Sequence, residues 1–403
     1  MENAMREPLL KKAINYLAVF IVFSGAFVYP RNIIFEVRGA YLIMGLILLF
    51  WLPIMKDIVF NKLFFIPFFF LVIFSVFNVF MGLDNVKLLT KQALGISINA
   101  IWFYMLIKIN DYNINKLFRI YLNIAFVVAI IGLIQEASYL LQFRAGYDYS
   151  ALLPFWTFYP TQNFLRVNSI ITEPAGFCVS MLPSLFVSIC SLIDKELNMQ
   201  SIFRSVIIIT AFILSFSSTG YLGLIIALFI ILMGYKKVRY TVVILAFGAI
   251  FLISAFRFSD DFRSRMVDSF NILRSKSTLQ NVNLSTYALY SNALVAYDSL
   301  KLSPIIGSGL GSHELSYKKF MPEIRRKEGS SLVNVQDAAS LLLRLLSDTG
   351  ILGTGLFFLF LTKFFIKKKN SYSSVSWVIN NSIFVFFVIR LLRIGHYFTD
   401  GFF

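Results

Sequence analysis

The residues in this 403-residue chain with the clearest chemical potential are a carboxylate and a set of arginines. The sharpest local feature is Arg166-Val-Asn-Ser169-Ile-Ile-Thr-Glu173-Pro174-Ala-Gly-Phe177. Pro174 suits the first turn of a helix, where its missing N–H costs nothing. Glu173 then stands at a helix N-terminus, where the macrodipole favours a negative charge. A guanidinium can grip phosphate with two parallel hydrogen bonds, and a carboxylate can accept a proton from a sugar hydroxyl. Together they would suit transfer of a glycan from a lipid phosphate. The plainer reading makes Glu173 an N-terminal charge with Arg166 as its partner. Further arginines that could hold phosphate are Arg257, Arg263, Arg265 and Arg274, and, near the end of the chain, Arg390 and Arg393.

Other chemistries are poorly served. Only two histidines are present, His313 and His396, and no Cys/His spacing suits a metal. Surface or capping positions are the expected roles of both. Cys178 and Cys190 lie twelve residues apart on one expected helix, too far for a disulfide. The turn Gly307-Ser308-Gly309-Leu310-Gly311 has no preceding strand, so it is not a dinucleotide fingerprint. Nothing resembles a serine triad or a Walker loop.

The composition says what must position these groups. Hydrophobic residues make up 58% of the chain and charged residues 14%, against about 25% charged in soluble domains. Mean hydropathy is +0.74. A soluble core, a disordered chain and a nucleic-acid binder are all excluded, despite the net charge of +16. A spanning helix needs ~20 mostly apolar residues. Eleven stretches qualify: 13–30, 39–55, 62–82, 89–108, 117–141, 174–194, 203–218, 220–235, 240–256, 338–363 and 374–394. Ser217-Ser218-Thr219-Gly220 is the expected turn between the seventh and eighth. The first has no cleavage site after it, so it is not a removed signal.

Alternate connections carry a run of mostly Lys cations, including Lys11, Lys12, Lys108, Lys116, Arg119, Lys195, Arg204, Lys236, Lys237, Lys367 and Lys368. By the positive-inside rule these face the cytoplasm, which puts the N-terminus inside and the C-terminus outside. The whole of 1–403 then reads as a single integral membrane domain with two long outer segments, 142–173 and 257–337. Long loops of this kind are commonly functional. The second contains an amphipathic helix over 285–300, with Ser285 as its expected N-cap. The outer segments hold Arg31, Arg38, Arg144, Arg166, Arg257, Arg263, Arg265, Arg274, Arg325 and Arg326, an arginine bias that suits an anionic ligand or lipid headgroups. Glu136, Asp337, Arg344, Asp348, Arg390 and Arg393 lie in or beside apolar runs, where charges tend to face the bundle interior. Arg344 and Asp348 are spaced as an intrahelical i, i+4 pair. Arg390 and Arg393 suit either snorkelling anchors or the same outer pocket as Arg166.

These features come in a recognisable order. The chain resembles the O-antigen and exopolysaccharide repeat-unit polymerases (Wzy-type), relatives of the O-antigen ligases. Four pieces carry the resemblance: Arg166…Ser169…Glu173-Pro174; Ser215-Phe-Ser217-Ser218-Thr219-Gly220-Tyr221-Leu222-Gly223; Pro304-Ile-Ile-Gly307-Ser-Gly309-Leu-Gly311; and Leu341-Leu-Leu…Asp348-Thr349-Gly350-Ile351-Leu352-Gly353. The ligases carry a His shortly before the last element, where this chain reads Asp337-Ala338-Ala339-Ser340, which favours the polymerase. An Arg common beside the hairpin glycine is Thr219 here, and an Arg common on the loop helix is absent from 285–290.

The resemblance implies an all-α polytopic membrane protein with a GT-C-like bundle and a large, partly helical periplasmic loop. It implies a polymerase at the periplasmic face of the bacterial inner membrane. A growing glycan on undecaprenyl pyrophosphate would pass to the non-reducing end of a second lipid-linked repeat unit, with no metal and no cofactor. Glu173 and Arg166 would be catalytic, with Arg257, Arg263, Arg265, Arg274 and Arg393 as pyrophosphate ligands. The implied partners are those lipid-linked oligosaccharides, the bilayer and a chain-length regulator, and no nucleic acid. An O-antigen ligase is the nearest alternative. A lipid-glycan flippase or other transporter is the next, although no internal repeat marks one.

Overall fold

The computed structural model describes residues 9–29, 37–55, 62–161, 164–235, 242, 248, 253, 256–257, 260–273, 283–328, 332–368, 371 and 373–397. Fourteen helices are used below: α1 Leu9–Phe20, α2 Gly39–Met55, α3 Lys62–Phe80, α4 Val86–Ile109, α5 Ile114–Leu140, the single turn α6 Arg144–Tyr147, α7 Pro174–Ile193, α8 Ile202–Ile213, α9 Ser218–Tyr235, α10 Asp260–Leu273, α11 Leu284–Leu302, α12 His313–Glu328, α13 Leu341–Phe364 and α14 Ser374–Arg393. Among the described residues the only strand pairing is antiparallel, Val28–Tyr29 with Val37–Arg38. The protein is an all-α polytopic membrane protein. Six helices, α4, α5, α7, α9, α13 and α14, are long and apolar enough to cross a bilayer.

The six correspond to the expected spans 89–108, 117–141, 174–194, 220–235, 338–363 and 374–394. The expected first span, 13–30, is instead a 12-residue α1 followed by a 3-10 turn at Ile21–Phe23. The seventh, 203–218, is the 12-residue α8. It stops early because the chain turns at Leu214–Ser217, ahead of the expected Ser217–Gly220 break. Phe216 takes a left-handed φ of 45° and Ser215 Oγ bonds Phe212 O at 2.7 Å. Ser218–Gly220 are therefore the first turn of α9. The ninth expected span, 240–256, falls almost wholly outside the described residues, as do Arg31, Arg274 and the side chains of Arg38, Arg265, Arg325 and Arg326.

Helix α7 is the axis of the bundle. Fifteen of its 20 residues are buried, and it packs on α5, α8, α9 and α14. Pro183 interrupts it, and α5 repairs the gap. The Tyr121 hydroxyl accepts from Ser184 N at 3.2 Å and donates to Ser180 O at 2.7 Å, standing in for the helical bond between them. Backbone groups freed in a membrane helix need such partners, since hydrocarbon offers none. The bundle surface runs the other way from a soluble protein. Phe69, Phe77 and Phe80 on α3 and Leu356, Leu359 and Phe360 on α13 are exposed, as lipid-facing side chains should be.

The 257–337 segment is largely folded, containing α10, α11 and α12. Helix α11 begins a residue earlier than expected. Its cap is Asn283, whose side chain accepts from Ser285 N at 3.0 Å, so Ser285 is capped rather than capping.

Candidate functional site

The first and second motifs form one unit. The strand-like run 165–169 lies between α5 and the α8–α9 turn. Leu165 N donates to Glu136 Oε2 at 3.1 Å, Val167 N to Leu214 O at 3.1 Å, and Ser169 N to Gln135 Oε1 at 2.9 Å. Gln135 Nε2 donates to Asn168 Oδ1 at 3.2 Å. Asn168 in turn binds the carbonyls of Thr157, Ile171 and Thr172, and Ser169, at a left-handed φ of 51°, donates its hydroxyl to Val128 O at 2.8 Å. Glycine at position 220 lets α9 close on α7, because any Cβ there would collide with the Cys178 sulfur. Cys178 and Cys190 are both free and buried.

This scaffold holds Arg166 and Glu173 differently. Arg166 is buried, with its guanidinium 5.6 Å from the Tyr159 ring centre and its charge felt at Cys178 and Tyr221. Glu173 is the N-cap residue of α7, extended at φ −150°, with Pro174 at the first helical position as expected. Its side chain makes no capping bond and is exposed. Its charge is paired electrostatically with Arg393, which ends α14 half-buried. Arg390, one turn earlier, is buried against Phe386, 5.0 Å from its ring centre. Of the expected site residues, Glu173 and Arg393 thus lie within electrostatic range of each other, with Arg166 seven residues from Glu173 in the same folded segment. Arg257 and Arg263 are exposed. Helix α10, which carries Arg263 and Arg265, packs on α11, where Asn283 N donates to Asp268 Oδ2 at 2.7 Å.

The third and fourth motifs form a second unit. Helix α13 breaks at Gly350, whose φ of 62° and ψ of −162° are not helical. The glycine loop seats in the break. Ser308 N donates to Ser347 O, Gly309 N to Asp348 O, Ile351 N to Pro304 O and Leu352 N to Ile305 O, all between 2.9 and 3.0 Å. Asp348 is the hub. Its Oδ1 accepts from His313 N (2.8 Å) and Ser312 Oγ (3.2 Å), and its Oδ2 from Gly311 N (2.9 Å) and Tyr397 Oη (3.0 Å). The expected Arg344–Asp348 pair is present at 3.4 Å, with Arg344 also bonded to Gly395 O and stacked on Tyr397. From the last turns of α3, Ser75 Oγ accepts from Leu310 N at 2.9 Å and Asn78 Nδ2 donates to Gly307 O at 3.2 Å.

Every backbone N–H from Gly307 to His313 already has an acceptor. The glycine loop therefore has no amides left to cradle a phosphate. It fixes the first half of α13 and, through Tyr397 and Gly395, the end of α14 that carries Arg390 and Arg393. Two buried groups here escaped the sequence reading: Asp84 carried no distinctive signal, and His313, expected at a surface or capping position, is fully buried. Asp84 sits in the turn before α4, with its carboxyl against Gly309. Burial pushes its pKa up to about 7, opposed by the Asn85 N–H and assisted by Asp348. His313 is pushed down to about 3 by burial and by the Arg344 charge, so it is neutral, with Nε2 2.9 Å from Asn292 Oδ1. His396, in the tail after α14, lies 3.6 Å from Asp337.

The fold and these paired motifs define a class: a multi-pass helical membrane protein whose signature loops converge at one end of the bundle. Residues 203–358, less than half of the chain, match the family model described as O-antigen ligase, a match consistent with the Wzy-type resemblance. Members of that family are glycosyltransferase-like enzymes. The match takes in the hairpin, the glycine loop and the broken helix, and leaves Arg166, Glu173 and α14 outside it. No curated protein and no solved structure matches the chain.

Proposed function

We propose that the protein is a surface-polysaccharide polymerase of the inner membrane, working at its periplasmic face. It moves a growing glycan from undecaprenyl pyrophosphate onto the non-reducing sugar of a lipid-linked repeat unit. The observation that carries this reading is the exposed Glu173 carboxylate at the N-terminus of α7, within electrostatic range of Arg393 and in the segment that also holds Arg166. Glu173 takes the proton of the acceptor hydroxyl. The hydroxyl oxygen bonds to the anomeric carbon as the bond from that carbon to phosphate oxygen breaks. The electron pair leaves on undecaprenyl pyrophosphate, whose charge Arg166 and Arg393 offset. Arg257, Arg263, Arg265 and Arg274 would serve the second lipid, and a chain-length regulator is the expected protein partner.

A ligase is the second reading, and one observation favours it. His396 reaches Asp337 from the C-terminal tail, so a histidine stands beside the place where the ligases carry theirs.

Complementation separates the readings. A deletion strain receives wild type, Arg166→Ala or Glu173→Gln at matched membrane levels, and its lipopolysaccharide is resolved on a gel. Core carrying a single repeat unit in the deletion strain and both variants supports the polymerase. Bare core, with lipid-linked polymer accumulating, supports the ligase. An unchanged ladder in the deletion strain rejects both.

A further inference from the structure

At the opposite end of the bundle, α1 and α5 enclose a cleft of about 510 Å³ lined by Lys12, Tyr16, Asn113, Asn115, Lys116, Arg119, Ile120 and Asn123. Lys12 and Tyr16 are one turn apart on α1, and Lys116, Arg119 and Asn123 follow one face of α5. Three cations line it, and none of its lining residues is a carboxylate. The walls are fixed. Asn15 and Asn110 exchange two amide bonds of 2.9 Å, and Lys116 Nζ donates to Asn110 Oδ1 at 3.2 Å. Asn123 donates to Tyr16 Oη at 3.1 Å and accepts from Arg204 at 2.8 Å, which brings a fourth cation to the back wall. Asn113 caps α5 through Lys116 N, so the positive end of a 27-residue helix also faces this region.

Lys12, Lys116 and Arg119 line one cleft that has no carboxylate among its lining residues, and their like charges favour an anion among them. The surroundings show which kind. Leu9, one turn before Lys12, is 85% exposed, and Ile202 and Phe203 on α8 are exposed beside Arg204, which stacks on Phe126 at 4.9 Å. Apolar chains can lie along this surface while a phosphate enters the cleft. Lys116 and Gln135 are nineteen residues apart on α5, about 28 Å along the helix, which is close to the hydrocarbon thickness. The cleft and the Arg166–Glu173 segment therefore lie in opposite interfacial regions.

We propose that this cleft binds the phosphate of an anionic phospholipid headgroup, a site separate from the one that handles lipid-linked glycan. The test is native mass spectrometry of delipidated full-length protein titrated with phosphatidylglycerol, phosphatidylcholine or inorganic phosphate. Wild type should retain one phosphatidylglycerol in preference to phosphatidylcholine. The double variant Lys116→Gln/Arg119→Gln should bind it about 25-fold more weakly, near fivefold per cation removed. Lys12→Gln, on the other helix and exposed, should give about fivefold by itself. The exposed pair Lys301→Gln/Lys318→Gln, with the same charge change, should have no effect. Equal retention by cleft and control variants would overturn the proposal. So would displacement of the lipid by an equal concentration of inorganic phosphate, which would make the ligand a soluble anion.

Discussion

Around Asp348, four donors and an arginine converge on one carboxylate, and the glycine loop beside it has no unused amide. Around Glu173, the carboxylate is exposed, makes no cap bond, and lies within electrostatic range of an arginine from another helix. Both regions are built from family-like motifs at the same end of the bundle, yet they dispose of their polar atoms in opposite ways. A buried carboxylate whose lone pairs are taken is a tie between chain segments, because anything that frees it leaves a charge in a low-dielectric interior. An exposed carboxylate held at a helix N-terminus by a well-tied scaffold can exchange protons with a substrate. The glycine loop is thus the positioning element, and the Arg166–Glu173 run carries the candidate chemistry.

Substitutions can break this comparison. The largest expected effect is on activity. Glu173→Gln keeps the shape and removes the base, so polymer formation should fall by about 10²–10⁴-fold. The unfolding midpoint should fall only slightly, by the roughly 0.3–1 kcal/mol that an exposed charge gains at a helix N-terminus, because no cap bond is lost. A wild-type ladder from this variant would remove Glu173 from the mechanism. Asp348→Ala should do the reverse. Breaking a buried pair costs about 3–5 kcal/mol, and here four further donors lose their acceptor. The expected result is little monodisperse protein by size-exclusion chromatography, with any folded fraction unfolding well below wild type.

Gly307→Ala tests the same tie from the loop side. Gly307 has a φ of 69°, and a Cβ there would come within 2.5 Å of the Asp348 backbone. Left-handed strain plus the collision should cost about 2–4 kcal/mol. Gly355→Ala, on the same helix as Asp348 but with nothing within 4 Å of its Cβ, is the control and should stabilise by roughly 0.5–1 kcal/mol. Tryptophan fluorescence on heating reads both. Equal midpoints for the two would mean that the loop does not brace α13.

Much of this was legible from local rules. Apolar length gave six of the long helices, Pro174 marked the start of α7, and the i, i+4 spacing gave the Arg344–Asp348 pair. What escaped depends on partners distant in sequence. Asp348 binds residues 35 to 49 positions away, and Gln135 reaches Asn168 across 33. No spacing rule joins such pairs. The α11 cap was misplaced because Asn283 and Ser285 both suit an N-cap, and backbone geometry alone chose between them. Asp84, in a polar turn between two apolar runs, reads as a surface charge until the glycine loop is laid over it.

Asp84 supplies the subtlest test, because its carboxyl sits inside the tied region without being one of the ties. Its pKa rises from 3.8 to about 7 on folding, chiefly through burial. The folded state therefore holds a proton that the unfolded chain releases above pH 4. That contribution to stability is full below about pH 4 and is lost as pH rises to 7. Each pKa unit is worth about 1.4 kcal/mol, so the loss is at most about 4 kcal/mol, reduced by whatever water reaches the group. Asp84→Asn keeps the acceptor for Asn85 N and has no charge to bury. Its unfolding midpoint should match wild type below about pH 4, exceed it near pH 8, and vary less between them. If wild type and variant run parallel from pH 5 to 8, the Asp84 carboxyl is solvated, and the seal between the glycine loop and the α3–α4 turn is looser than the geometry indicates.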